Sequence, residues 1–208
     1  MKLAIIGATG TVGREIVAQA ISEGHEVTAL SRSGTLGEDS PKDVRTLKGD
    51  VFDPATLVPV VANQDAVIVA LGGGLWGTIR SQGTANVIEA MHRTGTRRLI
   101  VLSSLGVGDS EYVLNFKWRR IMFGLILRAV YLDHFRQERA VRLSELDWTI
   151  VRPGAYDDRQ DEGGFHVGDL RSMRGALKLK IARSDVAGFL LRVATSAGYL
   201  RQAPSISH

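Results

Sequence analysis

Apolar and polar positions along this chain follow two alternating periods. Predominantly apolar, strand-like runs at 2–6, 25–30, 44–48, 65–71, 97–103 and 147–152 read as strands. Between them, near 11–23, 54–62, 78–94 and 117–145, apolar residues recur at helical spacing. The run Ala66-Val67-Ile68-Val69-Ala70-Leu71 has no polar member, which predicts a central strand buried on both faces. Strand alternating with helix predicts an α/β fold: a doubly wound parallel sheet in three layers, α/β/α. The chain of 208 residues is long enough for one such domain and short for two, so residues 1–208 are expected to form a single domain. Loose structure is expected only in loops and in the last few residues.

Glycines punctuate this pattern where a ligand would sit. Gly7-Ala8-Thr9-Gly10-Thr11-Val12-Gly13 leaves the first strand and opens the first helix. In that setting Gly7 permits the tight exit, Gly10 lets backbone approach a pyrophosphate, and Gly13 lets helix and strand pack closely. The free N–H groups of the helix N-terminus then face the anion. Ligands of such sheets lie beyond the carboxyl ends of the strands, so candidate site residues are sought there. After the second strand stands Ser31-Arg32-Ser33, with no acid to accept from a ribose 2′-OH. Arg32 offers a guanidinium fork to a 2′-phosphate instead, with Arg14 as helper, which makes NADP the expected cofactor; the alternative is a solvated surface arginine. In Gly49-Asp50-Val51, Asp50 and Val51 are candidates to cap the adenine, and Asp50 is equally a candidate turn residue before the Asp53-Pro54 helix start. Gly72-Gly73-Gly74 removes three side chains where backbone would run against the cofactor ribose, or forms a flexible loop.

Composition narrows the chemistry further. With no cysteine there is no disulfide, thiolate nucleophile or cysteine-ligated metal, and redox chemistry must come from a bound cofactor. The five histidines show no ligand spacing, and no metal is expected. The net charge of +4 comes from scattered basic residues with few aromatics, which argues against nucleic acid. A strand starting at Lys2 leaves no room for a signal peptide, and no apolar run is long enough to span a bilayer. The expected setting is the cytoplasm, and the expected state a monomer or weak homo-oligomer without membrane insertion. The basic and apolar segment 116–128 reads as a core-packed helix with snorkelling ends, or as a contact for a membrane surface or partner. The polar stretch 157–164 is a candidate substrate lid or a plain solvated loop.

The chain resembles the atypical short-chain dehydrogenase/reductases, especially the flavin reductase/biliverdin reductase B branch. The resemblance covers nearly the whole chain and rests on G-A-T-G-T-V-G (7–13), G-D-V (49–51), D-A-V-I-V-A-L-G (65–72), S-Q-G-T-A-N-V (81–87), L-S-S (102–104), D-H-F-R-Q-E (133–138), L-D-W-T-I-V-R-P-G (146–154) and A-R-S-D-V-A (182–187). It implies a Rossmann-type sheet, with Gly7, Thr9, Gly10, Thr11 and Val12 around the pyrophosphate and Arg32 on the 2′-phosphate. Asp50 and Val51 would flank the adenine, and Leu71, Gly72 and Gly73 the ribose. Ser103 and Ser104 would lie beside the nicotinamide and substrate, His134 near the cofactor, and Pro153, Gly154 and Ala155 along the nicotinamide pocket. Ala155 stands where the branch has a histidine, and Gly106 to Leu132 runs longer than in the flavin reductase.

The better-known short-chain dehydrogenases use a tyrosine as proton donor with a lysine four residues later. Four residues after Tyr112, Tyr131, Tyr156 and Tyr199 stand Phe116, Phe135, Gln160 and Ala203, and Lys117 lies five after Tyr112. The pair is absent. Without a positioned acid, an electron-poor conjugated acceptor such as a flavin or quinone is the better hydride acceptor. Ser104 and His134 are the candidate catalytic residues. Strand-end capping is the other reading of the serines, and a helix-surface or satisfied core position that of His134. The rival function is a non-catalytic NADP sensor of the NmrA-like type, which has this fold and glycine motif.

Overall fold

In a computed structural model, residues 1–37, 40–74, 77–114, 125–158, 164–170 and 179–208 are described. The chain runs β1 (Lys2–Ile6), α1 (Thr11–Ser22), β2 (Glu26–Ser31), β3 (Val44–Lys48), α2 (Pro54–Val61), β4 (Ala66–Val69), α3 (Ile79–Thr94) and β5 (Arg98–Leu102). A 3-10 turn at Gly108–Val113 leads on to α4 (Arg128–Arg142), β6 (Asp147–Pro153), β7 (Ala155–Tyr156), β8 (His166–Gly168), β9 (Lys180–Ile181), α5 (Arg183–Thr195) and β10 (Ser205–Ser207). The main sheet has the order β3-β2-β1-β4-β5-β6-β10-β8, parallel throughout except where β8 runs antiparallel to β10. The order reverses between β1 and β4, and the crevice at that switch point is where such sheets take their ligands.

The strands are apolar on both faces because both faces are covered. Leu3 and Ile5 of β1, with Ile68 of β4, pack into a core shared with α1 and α5. Ala4 and Ile6, with Val67 and Val69, pack into a second core under α2, α3 and α4. The buried runs expected for β1 and β4 follow from this period-two division.

Three expectations are corrected. The helix expected over 117–145 is found as α4, Arg128–Arg142; residues 115–124 lie outside the described residues, and with them most of the segment read as a core, membrane or partner helix. The C-terminal residues, expected to be loose, form β10, in which Ser205 pairs with Arg152 and Ile206 with Pro153 of β6. Ile206 is fully buried, which offsets the ordering cost of the chain end. Helix α5 is absent from the sequence reading altogether. Its N-cap, Ala182, makes no side-chain bond. The cap comes instead from Asp158, whose Oδ1 accepts from the Arg183 backbone N–H at 3.2 Å. Gly188 looks like a helix breaker; a Cβ there would stand 3.1 Å from Gln19 Oε1 of α1, a tight contact with the end of a flexible side chain.

Candidate functional site

The glycine turn does what its spacing requires. Gly7 has φ +95°, and a Cβ on it would stand 2.4 Å from the Ala70 carbonyl oxygen. At Gly13 a Cβ would be 2.0 Å from the Gly7 oxygen, so any side chain would push α1 off the turn. Gly10 caps α1 without a side chain, and the first N–H groups of the helix open toward the cleft. A pyrophosphate suits this concave, donor-lined turn.

Two adjoining cavities run along the carboxyl ends of the strands and share Gly10, Ala70, Leu71 and Gly72. The first, of about 440 Å³, is bordered by Gly7, Thr9, Ser31, Arg32, Asp50, Val51 and Gly73, with Phe52 and Ile79, which the sequence reading did not single out. Arg32 is exposed and makes no hydrogen bond or ion pair among the described residues. The turn that presents it is fixed by Ser31, whose hydroxyl donates to the Thr35 carbonyl at 2.6 Å. Arg14 is committed elsewhere: its Nε donates to the Thr9 carbonyl at 3.2 Å, bracing the glycine turn. Asp50 borders the cavity as a turn residue, its Oδ1 accepting from the Phe52 N–H at 2.9 Å. Of the three glycines 72–74, only Gly73 is sterically required, since a Cβ would lie 2.6 Å from Ile79 Cγ2.

The second cavity, of about 240 Å³, brings together Thr11, Val12, Ser103, Ser104, His134, Pro153, Gly154 and Ala155. Strand ends position them. The Ser103 N–H donates to the Val151 carbonyl and the Leu105 N–H to the Pro153 carbonyl, both at 2.8 Å, tying the turn after β5 to the end of β6. Beneath that turn lies a buried charge network. Arg152, 2% exposed, grips Glu138 with Nε at 2.9 Å and Nη2 at 2.6 Å, and reaches Asp109 with Nη1 at 2.7 Å. The Ser103 hydroxyl donates to Glu138 Oε1 at 2.7 Å and so joins this network. Ser104 is half-buried and its hydroxyl donates only to its neighbour's carbonyl, Leu105, at 3.2 Å. Both serines border the cavity, and Ser104 is the more exposed of the two.

His134 is buried, at 7% exposure, and burial first, then the Arg80 charge, pushes its pKa down to about 4. It is neutral at physiological pH. Gln137 Nε2 donates to the Thr84 hydroxyl at 3.0 Å, which turns Gln137 Oε1 toward His134 Nδ1 at 3.2 Å. With the amide so oriented, Nδ1 carries the proton and Nε2 is left as an acceptor.

Two further residues border this cavity that the sequence reading missed. Arg80 sits in the first turn of α3, where a cation opposes the helix dipole. Asp133 of α4 offsets it: its carboxylate accepts from the backbone N–H groups of Arg80 at 3.2 Å and Ser81 at 3.0 Å, capping α3 from another helix. Arg80 itself donates to the Gly73 carbonyl at 3.2 Å. A basic residue at a helix start without a local acid was the available signal. Tyr156 follows Ala155 on β7, with the Arg183 guanidinium 5.0 Å from its ring centroid. Burial pushes its pKa up to about 12, although 40% of the residue stays accessible. Of the acidic stretch 157–164, Asp157 accepts from Lys180 Nζ at 2.8 Å and Asp158 pairs with Arg183, while 159–163 lie outside the described residues. Among the described residues no cluster could hold a metal ion, and no helix is long and apolar enough to cross a membrane.

Comparison with known proteins agrees with this geometry. A sequence model described as NAD(P)H-binding matches residues 7–197. The UPF0659 protein YMR090W of Saccharomyces cerevisiae is 28% identical over 207 residues, covering 92% of this chain and 86% of that protein. The chloroplastic divinyl chlorophyllide a 8-vinyl-reductase of Zea mays is 30% identical over 169 residues, covering 73% of this chain but only 39% of that longer protein. Among solved structures, ChuY, an anaerobillin reductase from Escherichia coli O157:H7, superposes with a TM-score of 0.80 at 24% identity, covering 100% of this chain and 97% of that one. At that identity the likeness establishes the fold alone.

Proposed function

The chain belongs to the NAD(P)H-binding family, and from that premise we propose that it is an NADPH-dependent reductase passing hydride to a small conjugated acceptor such as a flavin or quinone. The observation that carries this reading is the pair of adjoining cavities. One presents Arg32, without a partner among the described residues, for a 2′-phosphate; the other, bordered by Ser104, His134 and Arg80, has no nucleophile–base pair among the described residues. Bound NADPH would supply the hydride. The protein's own part is to bind and orient. Gly7 to Val12 hold the pyrophosphate, Leu71 to Gly73 border the ribose, and Asp50 and Val51 flank the adenine. Ser104 orients the nicotinamide amide or the acceptor through its hydroxyl. Pro153, Gly154 and Ala155 form the wall against which the reacting rings stack. Gly154 lets the Leu179–Lys180 backbone pack against the end of β6, since a Cβ there would meet the Leu179 oxygen at 2.7 Å.

His134 Nε2 serves as a neutral acceptor at the cavity wall. Among the described residues that border the cavity, neither His134, which is neutral, nor Tyr156, whose pKa is pushed up to about 12, is an acid suited to neutral pH. An acceptor whose reduced form takes its proton from water fits this site better than a simple ketone. The reductase relative from maize lends support to a reducing role without fixing the acceptor. The absence of an acid also favours a second reading, a non-catalytic NADP sensor. A panel of flavins, quinones, biliverdin and small aldehydes assayed for NADPH oxidation separates the two. Turnover of a flavin or quinone is expected; tight NADPH binding with no turnover of any acceptor would establish the sensor.

A further inference from the structure

Among the described residues that border the second cavity, Arg80 alone carries a full charge; the other polar members are Thr11, Ser103, Ser104, His134 and Tyr156, and no carboxylate joins them. Its guanidinium is held in place. Nη2 donates to the Gly73 carbonyl at 3.2 Å and Nη1 reaches Asp133 Oδ2 at 3.4 Å, with the Arg80 side chain 11% exposed and that of Asp133 2%. Those contacts occupy two of the N–H donors of the fork and leave the others without a partner among the described residues. The carboxylate behind it is largely spent on the start of α3. Asp133 accepts from the Ser81 hydroxyl at 2.6 Å, the Ser81 N–H at 3.0 Å and the Arg80 N–H at 3.2 Å, all shorter than its contact with the guanidinium.

On the reductase reading the cofactor's own anions are provided for, the pyrophosphate by the glycine turn and the 2′-phosphate by Arg32. Arg80 does not border the first cavity, although its neighbours Gly73 and Ile79 do. It is the cation left for the acceptor. The hydroxyls of Thr11, Ser104 and Tyr156 also bond neutral carbonyls, so they add affinity with little selection by charge. We propose that Arg80 is a specificity-determining residue that selects acceptors carrying an oxyanion, a phosphate or a carboxylate, over neutral acceptors of the same ring system. This rests on the reductase reading above. The spare N–H groups of the fork match the paired oxygens of either anion, and in a wall shielded from water the attraction is screened less than at the surface. The oxyanion is not the reacting group, so this bond places the acceptor and takes no part in hydride transfer.

The test is binding, which does not depend on turnover. Two pairs of probes share a ring and differ in charge: FMN with riboflavin for phosphate, and anthraquinone-2-carboxylate with its carboxamide for carboxylate. Each is titrated into the NADP⁺-loaded parent, Arg80→Gln and Arg80→Lys, by flavin fluorescence for the first pair and calorimetry for the second. In at least one pair the parent should bind the anionic member roughly 5- to 50-fold more tightly. That preference should fall to within about twofold in Arg80→Gln and persist in part in Arg80→Lys, with NADP⁺ affinity unchanged. The pair that responds tells phosphate from carboxylate. No preference in either pair, or a preference that survives in Arg80→Gln, would overturn the assignment and leave the reductase reading intact. Loss of NADP⁺ affinity in Arg80→Gln would also overturn it, by placing the residue on the cofactor or in the fold. A parent protein that holds NADP⁺ but none of the four probes would overturn the reductase reading and this inference with it.

Discussion

Acidification should destabilise this protein through His134, by an amount that follows from where the ring sits. The imidazole is packed between α3 and α4, with its pKa down at about 4 against an ordinary 6.5. Burial is the main cause and Arg80 the second. A group whose folded pKa is lowered in this way stays neutral in the fold while the unfolded chain takes up a proton. Its favourable balance is complete above pH 6.5 and is lost as pH falls toward 4. The difference of about 2.5 units, at 1.36 kcal/mol each, comes to a loss of about 1 kcal/mol by pH 5.5 and about 3 kcal/mol near pH 4. Urea denaturation of the parent and of His134→Gln, compared at steps between pH 4 and 7.5, isolates this term because the other histidines and the carboxylates cancel in the difference. The parent should lose more stability on acidification than the variant, and the His134 ring resonances should titrate near 4 in an NMR experiment. A ring that titrates near 6.5, or parallel stability profiles, would refute the buried neutral histidine.

Replacing Ser104 by Ala should lower kcat with a flavin or quinone roughly 3- to 30-fold, the loss of one orienting hydrogen bond worth about 0.5–2 kcal/mol, while NADPH affinity stays nearly constant; unchanged turnover would remove Ser104 from the site. NADPH should bind at least about tenfold more tightly than NADH at low salt, because the Arg32 contact to a 2′-phosphate is worth about 1.5–3 kcal/mol. Titration calorimetry should show that preference narrowing with salt and narrowing or reversing in Arg32→Asp; equal affinities in the parent would contradict the NADP assignment. Glu138→Ala should cost about 3–5 kcal/mol in denaturant unfolding by leaving Arg152 buried with only Asp109, and a loss under about 1 kcal/mol would show that the network relaxes without it. The pH profile of kcat/KM with menadione, which does not itself titrate, should be flat from about pH 6 to 9, since His134 and Tyr156 lie at about 4 and about 12; a break near neutrality would reveal an unrecognised acid or base.

What the sequence showed and what it hid divide along the range of the interactions. The strands β1 and β4 and the glycine turn were legible because their cause is local: a run of apolar residues buried on both faces, and three glycines whose missing side chains are required by atoms within the same βαβ unit. Helix α5 and strand β10 were hidden because their causes are distant. Asp158 caps α5 from another segment, and β10 is three residues long, held by its pairing with β6. The same division runs through the site. That Arg32 borders the cavity was legible from its place after a strand, but the bond of Ser103 to Glu138, thirty-five residues away, is a property of the packed protein. So is the proton on His134 Nδ1, which is fixed through Gln137 and Thr84. Arg80 and Tyr156 were overlooked because one breaks a local helix rule that Asp133 compensates from α4, and the other lacks the lysine spacing by which catalytic tyrosines are usually recognised.

Hydride transfer itself is the central claim, and an isotope reports it directly. NADPH deuterated on one or the other face of the nicotinamide C4 is mixed with the protein and an excess of the acceptor that turns over fastest, and the recovered cofactor is analysed by mass spectrometry and NMR. A fixed wall of Pro153, Gly154 and Ala155 on one side of the ring should permit transfer from a single face. Deuterium is then lost from one labelled cofactor and retained by the other, with a primary isotope effect on the single-turnover rate. Label retained in both cofactors, with NADPH bound but unoxidised, would contradict the account and leave the protein a cofactor-binding sensor.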